Sequence, residues 1–166
     1  MNALKVVLLT ESNSLSQDVS SNCKYGQKLV ESIRTIVTDL HYSCETVELN
    51  KLDFQEYESV DKFLNAAIVI MDVTNPDRRP TFMYHKGNRE SVDCMDDIVL
   101  IQASSVENDT DIQDLKTTCK IKRLIVYRYD EKKNTFYDVT TPSKSASISL
   151  RKSLKPLLIE ATSTME

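Results

Sequence analysis

The chain has 166 residues, which suits a single domain with a substantial buried core. Its 21 Lys and Arg residues stand against 25 Asp and Glu residues, and the resulting net charge of -4 offers no general attraction to nucleic acid or anionic membranes. No apolar run approaches the ~20 residues that span a bilayer, and no basic-plus-apolar start indicates a secretory signal.

The first part of the chain alternates strand and helix patterns. Leu4–Thr10 is an apolar run typical of a strand buried on both faces, and a hydroxyl-rich loop follows it. From Asn22 onward, apolar residues recur at three- and four-residue spacing, which predicts a helix that faces a sheet. Thr46–Leu49 alternates polar and apolar residues as an edge strand does. Asp53 is then a candidate cap for a short helix whose shared face carries Tyr57, Val60, Phe63 and Leu64.

The middle of the chain contains two further strand patterns. Ala66–Val73 is strongly apolar and predicts a central strand. After a Pro-containing loop and a segment at 81–91, Asp97–Ala103 is another buried-strand run. Asp109 or Thr110 then caps a helix, on which Ile112, Leu115 and Cys119 are aligned.

The last part of the chain predicts one more strand, a ribbon and a helix. Lys122–Tyr129 alternates polar and apolar residues, and the charged turn Asp130–Asn134 returns the chain as a short antiparallel ribbon through Phe136. A final helix is predicted at about Ser145–Thr162, bent at Pro156 because proline lacks a backbone donor. Its inward residues are Ile148, Leu150, Leu154, Leu157 and Leu158.

This order of elements predicts the fold class. Strands that alternate with helices pair in parallel through right-handed crossovers, which gives an α/β three-layer sandwich. The expected sheet is mainly parallel and five-stranded, in the order 2-1-3-4-5, similar in appearance to flavodoxin-like, TIR-like or thioredoxin-like folds. No repeat or linker divides residues 1–166, so we expect a single domain.

The residue inventory argues against several cofactors. The two glycines, Gly26 and Gly87, are too few for a dinucleotide-binding turn or a P-loop, so we expect no nucleotide cofactor of those kinds. The cysteines lie far apart with no Cys-x-x-Cys pair, which argues against structural zinc and favours reduced intracellular thiols. These cysteines are Cys23, Cys44, Cys94 and Cys119.

The stretch from Ala66 to Ser91 resembles nucleoside deoxyribosyltransferase-like and TIR-like domains, in which a strand ends in Asp, an Asn-Pro loop follows, and a helix carries Tyr-Glu-x-Gly. That resemblance implies cleavage of an N-glycosidic bond by the Glu. Here His85 occupies the carboxylate position, and Glu90 lies about 500° further round a helix, so it does not point the same way. Asp72 ends the strand and is expected to cap the following loop.

A second resemblance covers Lys51–Ile101, which is similar to the N-terminal domain of the apoptosis signal-regulating kinases, a family of mitogen-activated protein kinase kinase kinases. The matching positions run in order with little gapping. The motif residues are Pro80, Phe82, Tyr84, His85, Gly87, Arg89 and Glu90. The histidine after the tyrosine is a trait of that family.

The kinase resemblance implies a non-catalytic regulatory domain within a cytoplasmic, stress-responsive Ser/Thr kinase of the apoptosis pathway. Its implied partners are reduced thioredoxin and other regions of the parent kinase. Cys119 matches a family cysteine and is the first candidate contact, with Cys94 the second, although no cysteine follows Cys119 where vertebrate members place the thioredoxin-linked one. Two alternatives remain open: Cys119 is either a buried structural residue or a contact, and the domain is either a regulatory module or an N-glycoside-cleaving enzyme.

Overall fold

The computed structural model describes residues 4–11, 26–92, 96–105, 109–140 and 148–163. Strands and helices alternate through most of this part of the chain. In chain order they are β1 (Lys5–Thr10), α1 (Gly26–Asp39), β2 (Ser43–Glu48), α2 (Leu49–Asp53), α3 (Tyr57–Asn65), β3 (Ile68–Asp72), α4 (Arg79–Ser91), β4 (Asp97–Gln102), a 3-10 turn (Ala103–Ser105), α5 (Asp109–Thr118), β5 (Leu124–Asp130), β6 (Thr135–Asp138) and α6 (Leu150–Ser163).

The strands form a six-stranded sheet in the order β2-β1-β3-β4-β5-β6. The first five strands pair in parallel, which confirms the predicted three-layer α/β class and strand order. The predicted ribbon also forms: β6 pairs antiparallel with β5, from Tyr127 opposite Asp138 to Asp130 opposite Thr135. The ribbon therefore adds a sixth strand, which is one more than the five-stranded sheet predicted.

Two cores lie on the two faces of the sheet. Val6 and Leu8 of β1 pack with the apolar sides of α1 and α6. Val7 and Leu9 pack on the opposite face with residues of α2, α3 and α4. Successive side chains of a strand point to opposite faces, so a strand covered on both sides must be apolar throughout. This is why β1, β3 and β4 were recognisable as apolar runs.

The predictions around β2 were wrong in detail. The strand runs from Ser43 to Glu48, and Leu49 begins α2, a helix that the sequence pattern did not indicate. Asp53 lies at the end of α2 and does not cap α3, whose first turn follows Glu56 without a side-chain cap. Tyr57 is 84% exposed and so does not share the buried face of α3.

Two predictions near the end of the chain were also wrong. Lys122–Tyr129 was expected to alternate, yet Leu124 to Tyr127 are all buried, because β5 lies inside the sheet and is covered on both faces. Ile148 was expected to point inward, but it precedes α6 and is 38% exposed.

Residues 148 and 149 partly cover the outer edge of β6. Ser149 forms a bridge with Tyr137, and the Asp138 amide donates to the Ile148 carbonyl at 2.8 Å. The edge strand at the other end of the sheet, β2, carries no such segment among the described residues. No helix in the described ranges is long and apolar enough to cross a bilayer.

A buried ion pair holds α4 against the sheet. Arg89 is fully buried, and its Nε donates to Asp97 Oδ1 at 2.9 Å. Its Nη1 donates to the carbonyls of Phe63 at 2.6 Å and Ala66 at 3.2 Å. A single side chain thus joins the end of α4, the loop after α3 and the start of β4.

The environment of this pair makes it sensitive to the loss of one partner. Burial raises the pKa of the Asp97 carboxyl, and the positive charge of Arg89 opposes that rise. Within the described residues, Asp97 Oδ2 has no hydrogen-bond partner, so Arg89 supplies much of the compensation for the buried carboxylate.

Replacing Arg89 with methionine is expected to lower the free energy of unfolding by about 3–5 kcal/mol, because the Asp97 charge stays buried without its partner. The double variant Arg89→Met/Asp97→Leu should regain much of that loss. Denaturant unfolding measures both. Arg151→Met is the matched control, since it breaks an exposed pair with Asp39 and should cost less than about 1 kcal/mol. Equal losses of unfolding free energy in Arg89→Met and Arg151→Met would contradict the role of Arg89 as the partner that compensates the buried Asp97 carboxylate.

Candidate functional site

The sheet has a topological switch point between β1 and β3. The chain leaves β1 toward β2 on one side and returns through β3 on the other, so the loops after β1 and β3 diverge. In open α/β sheets, ligands bind in the crevice beyond the carboxyl ends of the strands at such a point. Glu11, directly after β1, and Asp72, the last residue of β3, mark this edge.

Asp72 is held by Thr74, in the loop after its own strand, and by Tyr127 of β5, and Thr74 is in turn held by the end of β4. Its Oδ1 accepts from the Thr74 amide at 3.0 Å and from the Thr74 hydroxyl. Its Oδ2 accepts from the Tyr127 hydroxyl of β5 at 2.7 Å. The amide of Gln102, at the end of β4, donates to Thr74 Oγ1 at 2.9 Å. Asp72 therefore organises the loop that follows its strand.

Both carboxyls at this edge are poised to hold protons more readily than usual. Burial raises the pKa of Asp72, although hydrogen bonds from Thr74 and Tyr127 oppose the rise. Burial also raises the pKa of Glu11, opposed by a hydrogen bond from Asn75, increased by the charge of Asp72 and lowered by Arg78. The described residues contain no group of three or more side chains suited to a metal ion.

His85 connects α4 to α2. Its Nε2 lies 2.9 Å from Asp53 Oδ1, its ring meets the Phe63 ring edge-on at 6.2 Å, and the residue is 6% exposed. Arg78 Nη2 completes the contact, donating to Asp53 Oδ2 and to Asn50 Oδ1, each at 3.2 Å. The imidazole thus occupies a packed position with a carboxylate partner.

Glu90 lies near the amino ends of the parallel strands, whereas Asp72 lies at the carboxyl ends. It accepts a hydrogen bond from Lys86, and its charge acts on Asp97 at the start of β4. Asp72 is paired in register with Leu100, three residues further along β4 than Asp97, which corresponds to about 10 Å of strand. Glu90 therefore does not take the place of the carboxylate missing at position 85.

The motif residues divide between inner and outer positions on α4. Arg89 is buried, and Pro80, Tyr84 and Gly87 are exposed. The motif residues on α4 and Asp72, at the carboxyl end of β3, do not form a single cluster.

Sequence reasoning missed several residues of the site at the carboxyl ends of the strands, which we call the strand-end site and which consists of Glu11, Asp72, Thr74 and Tyr127. Polar residues directly after apolar strands were the available signal for Glu11 and Thr74. Nothing in the pattern of β5 distinguished Tyr127.

Two cysteines lie within the described residues. Cys119 follows α5, is half-buried, and packs beside Ile112 and Leu115 against the core. Cys44, in the edge strand β2, is also half-buried, and burial raises the pKa of its thiol. Cys94 and Cys23, together with most of the hydroxyl-rich loop, lie outside the described residues.

Comparison with known proteins finds relatives among protein kinases. No family model matches the chain. It is 28% identical to "Mitogen-activated protein kinase kinase kinase nsy-1" of Caenorhabditis elegans over 120 residues, 72% of this chain and 8% of that protein. It is 34% identical to "Mitogen-activated protein kinase kinase kinase 5" of Homo sapiens over 71 residues, 43% of this chain and 5% of that protein.

A third relative has the same family name. "Mitogen-activated protein kinase kinase kinase 15" of Mus musculus is 31% identical over 72 residues, 43% of this chain and 5% of that protein. These matches confirm the resemblance to this kinase family. The chain spans less than a tenth of the length of the curated relatives it matches.

Asp72→Asn is expected to raise the free energy of unfolding, compared with that of the wild type, more at neutral pH than at acidic pH. In the wild type the folded-state pKa of Asp72 is raised, so its contribution is complete below the unfolded pKa and is lost as pH rises through the folded pKa. Asparagine removes that loss. The measurement is the difference in unfolding free energy between variant and wild type from about pH 3.5 to 8. A difference that stays flat, or falls with pH, would contradict the raised pKa.

Proposed function

We propose that this chain is a non-catalytic, protein-binding regulatory domain of a stress-responsive mitogen-activated protein kinase kinase kinase that acts in the cytoplasm. The relatives support the kinase context, and their much greater length supports a role within a larger protein. The observation that carries the non-catalytic part is the contact between His85 and Asp53. The helix position that bears the glycosidase carboxylate in the first resemblance here bears an imidazole that ties two helices together.

The chemistry of N-glycoside cleavage supports this reading. Cleavage develops positive charge on the sugar, which a carboxylate stabilises and an imidazole does not. Asp72 is engaged by Thr74 and Tyr127, and its raised pKa favours the uncharged form. The alternative, an enzyme of the nucleoside deoxyribosyltransferase or TIR-like kind, draws support from the two carboxyls at the switch point, Glu11 and Asp72.

Thioredoxin is the first candidate partner, and other regions of the parent kinase are the second. A thiol-dependent partner needs a cysteine within reach of the surface. Cys119 is half-buried at the end of α5, so part of its residue surface is accessible while the rest packs on the core. Its position is compatible with a contact that also contributes to packing. A reduced thiol is the expected state in the cytoplasm.

The purified chain is expected to release no base or nicotinamide from nucleosides or NAD. Chromatography of the reaction mixture measures the product. Turnover by the wild-type chain that vanished in the Asp72→Asn or Glu11→Gln variant would overturn the non-catalytic proposal and establish the enzyme alternative. Turnover unchanged in both variants would point to a contaminating activity.

Cys119→Ser is expected to weaken binding of reduced thioredoxin in titration calorimetry by at least about tenfold, or about 1.4 kcal/mol. Cys44→Ser is the matched control, since its thiol is also half-buried but lies in β2. Its affinity should equal that of the wild type. Thermal unfolding of both variants separates a lost contact from a weakened core. No binding by the wild-type chain would exclude the thioredoxin role and leave contacts within the parent kinase.

A further inference from the structure

Three aromatic side chains remain strongly exposed near α3 and α4. Phe54 and Tyr57 are each 84% exposed, and Tyr84 is 67% exposed. An exposed aromatic ring keeps a large apolar surface in water, and rings of this kind supply much of the binding energy at protein interfaces. The packing of this chain leaves all three rings largely in water, so it does not explain why they are aromatic.

The helices that carry these residues are neighbours on the same face of the sheet. The Phe63 ring of α3 meets the His85 ring of α4, and Arg89 of α4 donates to the Phe63 carbonyl at 2.6 Å. The contact of His85 with Asp53 brings the residue before Phe54 against α4. The sides of the two helices turned away from the sheet therefore form a shared surface, which we call the outer α3–α4 face. We assign to it six exposed residues: Phe54 directly after α2, Tyr57 and Asp61 of α3, and Tyr84, Gly87 and Asn88 of α4.

Gly87 on this face has no internal reason to be glycine. It lies within α4 without a positive φ, and a Cβ atom added there would meet nothing within 4 Å. Glycine inside a helix costs about 1 kcal/mol relative to alanine. Neither backbone conformation nor packing within the chain offsets that cost. The missing side chain leaves room for another backbone to approach α4 closely beside Tyr84.

The charges in the segment that carries Phe54 and Tyr57 are predominantly negative. The segment from Asp53 to Asp61 contains four carboxylates and no Lys, Arg or His. Asp53 and Glu58 have cationic partners in Arg78 and Lys62. Glu56 and Asp61 accept hydrogen bonds from the neutral side chains of Ser59 and Asn65, which leave their charge unbalanced. A partner with basic residues would therefore be complementary to this rim.

We infer that the outer α3–α4 face binds an amphipathic helix rich in basic residues, supplied by a protein partner. The apolar side of that helix covers Phe54, Tyr57 and Tyr84, its backbone approaches at Gly87, and its Lys or Arg residues meet Glu56 and Asp61. Amphipathic helices bind other proteins by burying their apolar side against apolar residues of the partner. The inference deepens the proposed protein-binding function and uses a surface other than Cys119.

The test uses a fluorescently labelled peptide of about 18 residues, long enough to form a helix, with leucine on one side and lysine on the other. Fluorescence anisotropy with the full chain should show binding that weakens with salt. Two control peptides are the same composition in scrambled order and the same pattern with Glu in place of Lys; neither should bind comparably. Phe54→Ala/Tyr84→Ala should weaken binding at least about tenfold. Ile159→Ala, at a 51% exposed position on α6, should leave it unchanged.

The Gly87→Ala variant distinguishes a binding role of Gly87 from a purely structural one. Alanine should raise the thermal midpoint, because it favours the helix, and should weaken peptide binding, because its methyl group blocks the close approach. Equal binding by the Gly87→Ala variant, or by the scrambled peptide, would overturn the inference. So would sedimentation showing that the wild-type chain dimerises and that Phe54→Ala/Tyr84→Ala abolishes the dimer, since the occupant would then be a second copy.

The outcome of the peptide-binding test can be distinguished from the outcome of the thioredoxin-binding test. Cys119→Ser should bind the peptide as the wild type does, because Cys119 lies after α5 and outside the outer α3–α4 face. Loss of peptide binding in Cys119→Ser without loss of stability would contradict the inference. Failure of thioredoxin to bind the wild-type chain would have no bearing on the peptide result.

Discussion

The position of α4 depends on one buried guanidinium group. Arg89 reaches from the end of this helix to Asp97 and to two carbonyls near the end of α3, so it fixes the helix relative to both β4 and the neighbouring helix. Because Arg89 is fully buried, the rotation of α4 about its axis is fixed as well. His85 then faces α2, and Tyr84 and Gly87 face outward. The outer α3–α4 face is a consequence of this anchoring.

The strand-end site has a different origin. It arises where the order of the parallel strands reverses, and the fold alone creates the crevice between the loops after β1 and β3. In this chain Asp72 uses both carboxylate oxygens within its own loop and with Tyr127. An acid whose two oxygens already accept three internal hydrogen bonds serves mainly to shape the loop. The frame typical of a ligand site is thus present, and its most buried acid contributes to the frame itself.

Much of the sheet could be predicted from the sequence because burial on both faces requires continuous apolar runs in β1, β3 and β4. The edges were harder, since an edge strand such as β2 carries a mixed pattern and α2 is only five residues long. The site was predictable only where residues follow strands directly, as Asp72 does. The contacts of His85 with Asp53 and of Tyr127 with Asp72 join residues 32 and 55 positions apart, and no local pattern records such distances.

The two ends of the sheet differ in how they resist association with other chains. Ser149 and Ile148 already use part of the hydrogen-bonding edge of β6, whereas β2 carries no comparable cover within the described residues. An open edge is a template on which a foreign strand can add. Along β2, Glu45 and Glu48 place two negative charges beside that edge, against one positive charge from Arg34, which donates to Thr46. The excess of negative charge on a second copy would oppose pairing. Among the described residues, the protection of this end against strand pairing comes from charge, and that of the other end comes from covered hydrogen bonds.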